Sequence, residues 1–413
     1  MINFKLQLTR AKESSRNLRI ASSSQKNIFL LKLADSLIEN KNEIIKENNK
    51  DIEKAQGLTK AMLRRLTLTG DILKEMARGL RQIAEVDDPV GQIENMNTMF
   101  NGMKVGRMRV PIGVILFVYE SRPNVIIDAA GLCIKSGNTL IVRGGKEAMY
   151  SNVVLLKYIK RALVAANLPE NGVQQLEDRD YETLSKVVKE TEYVDLIVPR
   201  GREKLISSIK EASMVPVIAH ERGVCHAYVD SDVNIEKAIK IIINSKVSNP
   251  STCNSLEKVL IHKNVADKIL PSLIKEFINN EVEVRGDKTV CKIDRHCKKA
   301  TKEDWDQEYL DLIITIKIVD SFQEALVHIE NHSSGLSDII ITENNVRAQD
   351  FLNNVNSASV MVNASTRLTD GAAFGLGAEL GISTSSIHMR GPMGLKDLTV
   401  TKYVVLGDGQ IRE

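Results

Sequence analysis

The first hundred residues carry apolar side chains at helical spacing in a charged, Asn-rich background. Leu30, Leu33, Ala34 and Leu37 form one stripe that Ile44 and Ile45 continue, which predicts amphipathic helices. From Pro111 the texture changes. Short β-branched runs at 112–119, 139–143 and 194–198 alternate with helical patterns at 125–135, 147–166 and 203–212, and a further apolar run covers 215–219. Alternation at this spacing predicts βαβ units and a parallel sheet covered by helices. A second series follows the polar break Asp230-Ser231-Asp232, whose residues suit a helix N-cap. It holds a helix with Ile235, Ala238, Ile239 and Ile242, then strand 256–262, helix 265–279, strand 314–319, helix 322–331, strand 338–341 and helix 345–355. The tail from Gly391 is Gly-rich and then strand-like at 402–406. It is too short to fold alone and reads as strand added to another subunit or domain. No internal repeat or low-complexity linker interrupts the pattern.

At 413 residues the chain is long for one core, so two or three domains are expected. Hydrophobic content of 43% and charged content of 26% belong to an ordinary globular protein. A net charge of +3 and 4% aromatics give no basis for a nucleic-acid surface. The N-terminal residues 1–19 are polar and lack the apolar core of a signal peptide. The most apolar stretch, 110–118, contains Pro111 and Gly113 and is too short to cross a bilayer, so a cytoplasmic protein without membrane contact is expected. Five dispersed cysteines do not read as a disulfide framework. Cys291, His296 and Cys297 lie close together but lack a fourth ligand at suitable spacing, so no metal site is expected.

Cys253 falls in the polar run Val247-Ser248-Asn249-Pro250-Ser251-Thr252-Cys253-Asn254-Ser255, between the helix and the strand 256–262. Buried neighbours on both sides can aim a thiol held in such a loop, and a thiolate is a strong nucleophile. The plainer reading is a small buried hydrophobe. Arg143-Gly144-Gly145-Lys146-Glu147 and Pro199-Arg200-Gly201-Arg202 are strand-to-helix turns with glycine for close approach and positive charge for a phosphate or ribose. Solvated turns are their alternative, and neither matches GxGxxG. Glu120-Ser121-Arg122-Pro123-Asn124 closes the first strand of the sheet. There the Asn124 amide can donate to an oxyanion or cap the next helix. The stretches 363–371 and 374–379 are rich in small and hydroxyl residues. They suit a loop round a polar ligand, with Arg367 available for a carboxylate.

Taken in order, these blocks resemble one family. Pro111-Ile-Gly-Val through Tyr119-Glu-Ser-Arg-Pro-Asn124, Arg143 to Glu147, Pro250-Ser-Thr-Cys-Asn254, Asn363 to Gly371, Phe374 to Glu379 and His388 to Leu395 cover nearly the whole chain. Together they resemble the γ-glutamyl phosphate reductases, members of the aldehyde dehydrogenase superfamily. The resemblance implies an α/β, aldehyde dehydrogenase-like fold with two Rossmann-like parallel-sheet domains and a small β oligomerisation element. It places cofactor binding at 1–94 and 112–228, catalysis at 229–387 and oligomerisation at 95–111 and 388–413. The implied reaction is NADPH-dependent reduction of L-glutamyl 5-phosphate to L-glutamate 5-semialdehyde and phosphate, the second step of proline biosynthesis.

The resemblance also implies roles. Cys253 is the thioester-forming nucleophile, and the Asn124 side chain with the Cys253 amide forms the oxyanion site. Arg143, Lys146, Pro199, Gly201 and Glu308 hold NADPH, with Lys146 where NAD-using relatives often carry a glutamate. Arg122 and Arg367 are candidates for the substrate's α-carboxylate. A homo-oligomer and transient contact with glutamate 5-kinase are further expectations. The chain departs from its hydrolytic relatives at 217–223, where His220 rather than Glu221 stands at the position of the water-activating glutamate. It also carries Arg202 and Ala372 where the family often has glycine. A hydrolytic NAD(P)-dependent aldehyde dehydrogenase and a non-catalytic scaffold are the competing readings.

Overall fold

The computed structural model describes residues 4–412 apart from 56, 59, 121, 177, 179 and 221. The chain divides into two compact units. One comprises 1–219, 375–381 and 393–413, and the other 220–374 and 382–392.

The first unit is built on four parallel strands in the order Val173–Gln175, Thr139–Arg143, Val114–Tyr119, Leu196–Arg200. Every residue of Val114–Tyr119 is buried, as a central parallel strand covered on both faces requires. Leu116, Val118, Ile141 and Ile197 pack with Leu184, Leu205 and Ile209 on one side. The predicted stripe of Leu30, Leu33, Ala34 and Leu37 is fully buried in helix Ser23–Glu39, which a Ser22–Gln25 capping box starts.

Two stretches differ from the sequence reading. The first hundred residues are not all helical, because Ile93–Thr98 is a strand antiparallel to Lys104–Pro111. Its polar sequence shows no apolar alternation, so pairing makes the strand, with a register shift between Glu94 and Asn97. Strand Thr399–Leu406 pairs with Lys104–Pro111 along its full length and completes this three-stranded sheet. The run 215–219 forms a single bridge, Ile197 to Val217, because Pro216 has no N–H with which to extend a ladder.

The second unit carries seven parallel strands in the order Lys298–Lys299, Glu283–Gly286, Ile313–Val319, Leu256–His262, Cys225–Val229, Ser337–Ile341, Ser359–Val362. Leu256–His262 is central, between Ile313–Val319 and Cys225–Val229. Helix Ile235–Val247 packs Ala238 and Ile242 against this core, and Asn234 caps it by accepting from the Lys237 N–H at 2.9 Å. No helix among the described residues is long and apolar enough to cross a membrane.

Candidate active site

In the second unit Cys253 stands half-buried in the turn between helix Ile235–Val247 and strand Leu256–His262. The Thr252 hydroxyl donates to the Asn249 carbonyl at 2.9 Å, and the Ser255 N–H donates to the Thr252 carbonyl at 2.9 Å. The Cys253 carbonyl accepts from the buried Cys225 thiol at 3.4 Å. Gly223 presses on the same carbonyl so closely that a Cβ at position 223 would lie 1.9 Å from its oxygen. The Gly223 N–H donates to Glu308 Oε1 at 2.9 Å. One glycine therefore joins the thiol turn to the carboxylate expected to hold a ribose. Its signal in the sequence was slight, a glycine ending the stretch 217–223.

A row of buried charge lies beside this arrangement. Lys246, in the last turn of the helix, reaches Glu257, at the start of the strand, with Nζ–Oε2 at 3.2 Å and neither side chain exposed. Lys258 donates to the Gln307 carbonyl at 2.7 Å and lies 4.4 Å from the centre of the Tyr309 ring. The Tyr309 hydroxyl meets Asp304 Oδ1 and Thr315 Oγ1, each at 2.6 Å. Both neighbours of Glu308 in the chain are thus fixed. Burial pushes Glu257 up and both Lys246 and Lys258 down, so each group shifts toward its neutral form. Loss of hydration outweighs mutual attraction here.

Arg367, in the short turn Thr366–Leu368, directs its guanidinium at the side-chain carbonyl of Asn254, the residue after Cys253. The Asn254 amide in turn donates to the Thr369 carbonyl at 2.9 Å. Arg367 Nε is buried without a hydrogen-bond partner among the described residues. His220 Nδ1 lies 2.9 Å from the Ile382 carbonyl, which only accepts, so Nδ1 donates in this contact. Ile382 belongs to the apolar cluster of Cys225 and Leu336 against which Cys253 packs. Glu221 lies outside the described residues. No group of three or more metal-ligating side chains occurs among the described residues.

In the first unit three adjacent strands end together at Tyr119, Arg143 and Arg200, the edge at which open parallel sheets bind ligands. Arg143 is buried and its guanidinium lies 5.1 Å from the centre of the Tyr181 ring. Lys146 is exposed, 3.5 Å from Asp180. Pro199 is buried and Gly201 exposed at the neighbouring turn. The Arg202 N–H, at the start of helix Glu203–Ala212, donates to Glu120 Oε2 at 2.9 Å, while its guanidinium stays mostly in solvent. A carboxylate of the chain itself therefore sits at that helix start, a contact that nothing in the spacing of Glu120 and Arg202 announced.

Arg122 precedes Pro123, and its carbonyl accepts from the Val125 N–H at 3.2 Å. Asn124 comes directly before helix Val125–Lys135, yet its side chain makes no capping hydrogen bond. One turn further on, Asp128 is the only acid in this helix. The residue is partly exposed, yet its carboxyl group is enclosed by the fold, and that enclosure, opposed by Arg200, pushes it up to about 6. Sequence reasoning passed over Asp128. The available signal was one acid four residues after Asn124 in an otherwise apolar run.

The aldehyde dehydrogenase family matches this chain over residues 3–290. A γ-glutamyl phosphate reductase of Caldanaerobacter subterraneus subsp. tengcongensis is 47% identical over 406 residues, covering 98% of each chain. The crystal structure of a γ-glutamyl phosphate reductase from Thermotoga maritima superposes with a TM-score of 0.96 at 40% identity, covering 99% of each chain. An acetylating aldehyde dehydrogenase from Geobacillus thermoglucosidasius, at 16% identity and a TM-score of 0.73 over 99% of this chain and 97% of its own, shares the fold.

Proposed function

The chain belongs to the aldehyde dehydrogenase family and, within it, to the γ-glutamyl phosphate reductases, and on that footing we propose that it reduces L-glutamyl 5-phosphate to L-glutamate 5-semialdehyde and phosphate in proline biosynthesis. The observation that carries the reading is the Cys253–Gly223–Glu308 arrangement, a thiol turn and a carboxylate joined through one backbone amide.

Cys253 is the nucleophile. Its thiolate attacks the acyl carbon, a C–S bond forms as the bond to the phosphate oxygen breaks, and a thioester results. The Asn124 amide and the Cys253 N–H donate to the oxyanion, a kind of contact worth about 2.7–4 kcal/mol when removed. Phosphate leaves readily and needs little protonation. The thioester must then escape water, and His220, tied through Nδ1 to the Ile382 carbonyl, stands where hydrolytic relatives carry a glutamate. Arg122 and Arg367 are assigned to the substrate's α-carboxylate. The unpartnered Nε of Arg367 supports that assignment.

The donor set fits a phosphorylated dinucleotide. Arg143 and Lys146 supply positive charge for a 2′-phosphate, Pro199 and Gly201 shape the second turn, and the Glu308 carboxylate suits ribose hydroxyls. When bound, NADPH supplies the hydride that reduces the thioester. Glu120 accepts from the Arg202 amide and also pairs with the Arg202 guanidinium at 3.6 Å, so the chain's own carboxylate occupies this turn.

Cofactor binding is assigned to 1–94 and 112–228 and catalysis to 229–387. Oligomerisation is assigned to 95–111 and 388–413, where the outer edge of Thr399–Leu406 exposes Tyr403, Val405 and Leu406. A cytoplasmic homo-oligomer in transient contact with glutamate 5-kinase completes the proposal. Run in reverse with glutamate semialdehyde, the enzyme should form NADPH only when phosphate is present. NADP reduction at equal rate without phosphate would identify a hydrolytic aldehyde dehydrogenase instead.

A further inference from the structure

The helix Val125–Lys135 buries ten of its eleven residues, and Asp128 is the one left in partial contact with solvent. Among the described residues nothing donates a hydrogen bond to its carboxylate and no ion pair reaches it; Arg200 acts on it only through space. The Arg200 guanidinium is directed elsewhere, donating to the Leu380 carbonyl at 3.3 Å. An enclosed carboxylate without a donor is costly to keep ionised. The charge it lacks is a cation that arrives from solvent.

We infer that Asp128 receives the α-ammonium group of the substrate and so selects amino-acid substrates over plain acyl ones. The inference rests on the proposed role of Asn124 at the reacting carbonyl. Residues four apart on a helix have Cβ atoms about 5–6 Å from one another. In an L-glutamyl group, four single bonds of about 1.5 Å separate the C5 carbon from the α-nitrogen, a reach of about 5 Å when extended. One helical turn therefore matches the distance between the two ends of the substrate that need opposite treatment. Asn124, whose amide is not spent on capping, donates to the carbonyl oxygen. Asp128 accepts from the ammonium in a charge-assisted hydrogen bond. A substrate without the amino group would leave the carboxylate enclosed and unpaired, which discriminates more strongly than a missing apolar contact.

The test uses the reverse reaction with two aldehydes, L-glutamate 5-semialdehyde and its des-amino analogue 5-oxopentanoate. Asp128→Asn should lower kcat/KM for the semialdehyde by about a hundredfold, mainly through KM. The same variant should leave kcat/KM for 5-oxopentanoate undiminished or raised, because the unpaired charge that penalises this substrate is gone, and that retained turnover also shows that the fold is intact. Asp128→Glu should recover part of the loss. An equal loss on both aldehydes would overturn the inference in favour of a structural or proton-transfer role, and no loss on either would overturn it outright. Asn124→Ala tests the underlying reading separately. It should depress turnover of both aldehydes alike, and if it depresses neither while the Asp128 contrast holds, the role of Asn124 fails and the ammonium site stands.

Discussion

Lys246 and Glu257 meet at 3.2 Å with neither side chain exposed, one at the end of the helix before Cys253 and one at the start of the strand after it. The pair closes the base of the thiol turn. Because both groups shift toward neutrality, its value lies in holding geometry more than in net attraction. Glu257→Gln removes the charge partner of buried Lys246 and should cost about 3–5 kcal/mol of stability, read from the urea midpoint. Replacing Lys246 and Glu257 together by Met and Leu should recover most of that loss.

Gly223 leaves no room for a side chain beside the Cys253 carbonyl. Gly223→Ala must move the thiol turn or the Glu308 contact, and a displacement near 1 Å at a reacting group costs about a hundredfold in rate. Steady-state kinetics should show kcat falling on that scale while the thermal midpoint moves by only a few degrees. A larger change in midpoint than in rate would make Gly223 a packing residue.

Cys253→Ser should remove at least about a thousandfold of the turnover, since serine without an activating base cannot form the acyl-enzyme. Titrating the variant with NADPH by fluorescence should give a dissociation constant within about threefold of the parent, because Cys253 lies outside the groups assigned to the cofactor. Retained turnover would exclude a thioester.

Acid should weaken the fold through His328. This ring is buried beside Trp305, His226 and His332, with centroids at 5.3, 5.5 and 4.5 Å, and burial pushes it down to about 2. The unfolded chain takes up a proton near pH 6.5 that the folded chain refuses, so this contribution is complete above that pH and declines on acidification. Between pH 7.5 and 5.5 the loss should be about 1.4 kcal/mol, and denaturant midpoints of His328→Gln should be flatter by that amount.

Much of this architecture was legible where one force dominated. The stripe of Leu30, Leu33 and Leu37 and the all-apolar strand Val114–Tyr119 declared their burial directly, and the turn carrying Cys253 followed from the helix and strand that flank it. Strand Ile93–Thr98 was not legible, because partners distant in sequence create it. The same applies to the site. Cys253 and Asn124 lie in recognisable runs, but Gly223 matters only because the fold brings a carbonyl from residue 253 against it. Asp128 carries no sequence signal beyond one acid in an apolar helix, because only the fold determines that its carboxylate lacks a partner among the described residues.

The strand Lys104–Pro111 bears on how the molecule is made. Its partner Thr399–Leu406 is synthesised nearly three hundred residues later, after the whole second unit. At about 5–20 residues per second, that edge waits roughly a quarter of a minute to a minute on the ribosome. The unit that starts first thus finishes last, and for that interval an open β-edge is exposed to pairing with a neighbouring nascent chain.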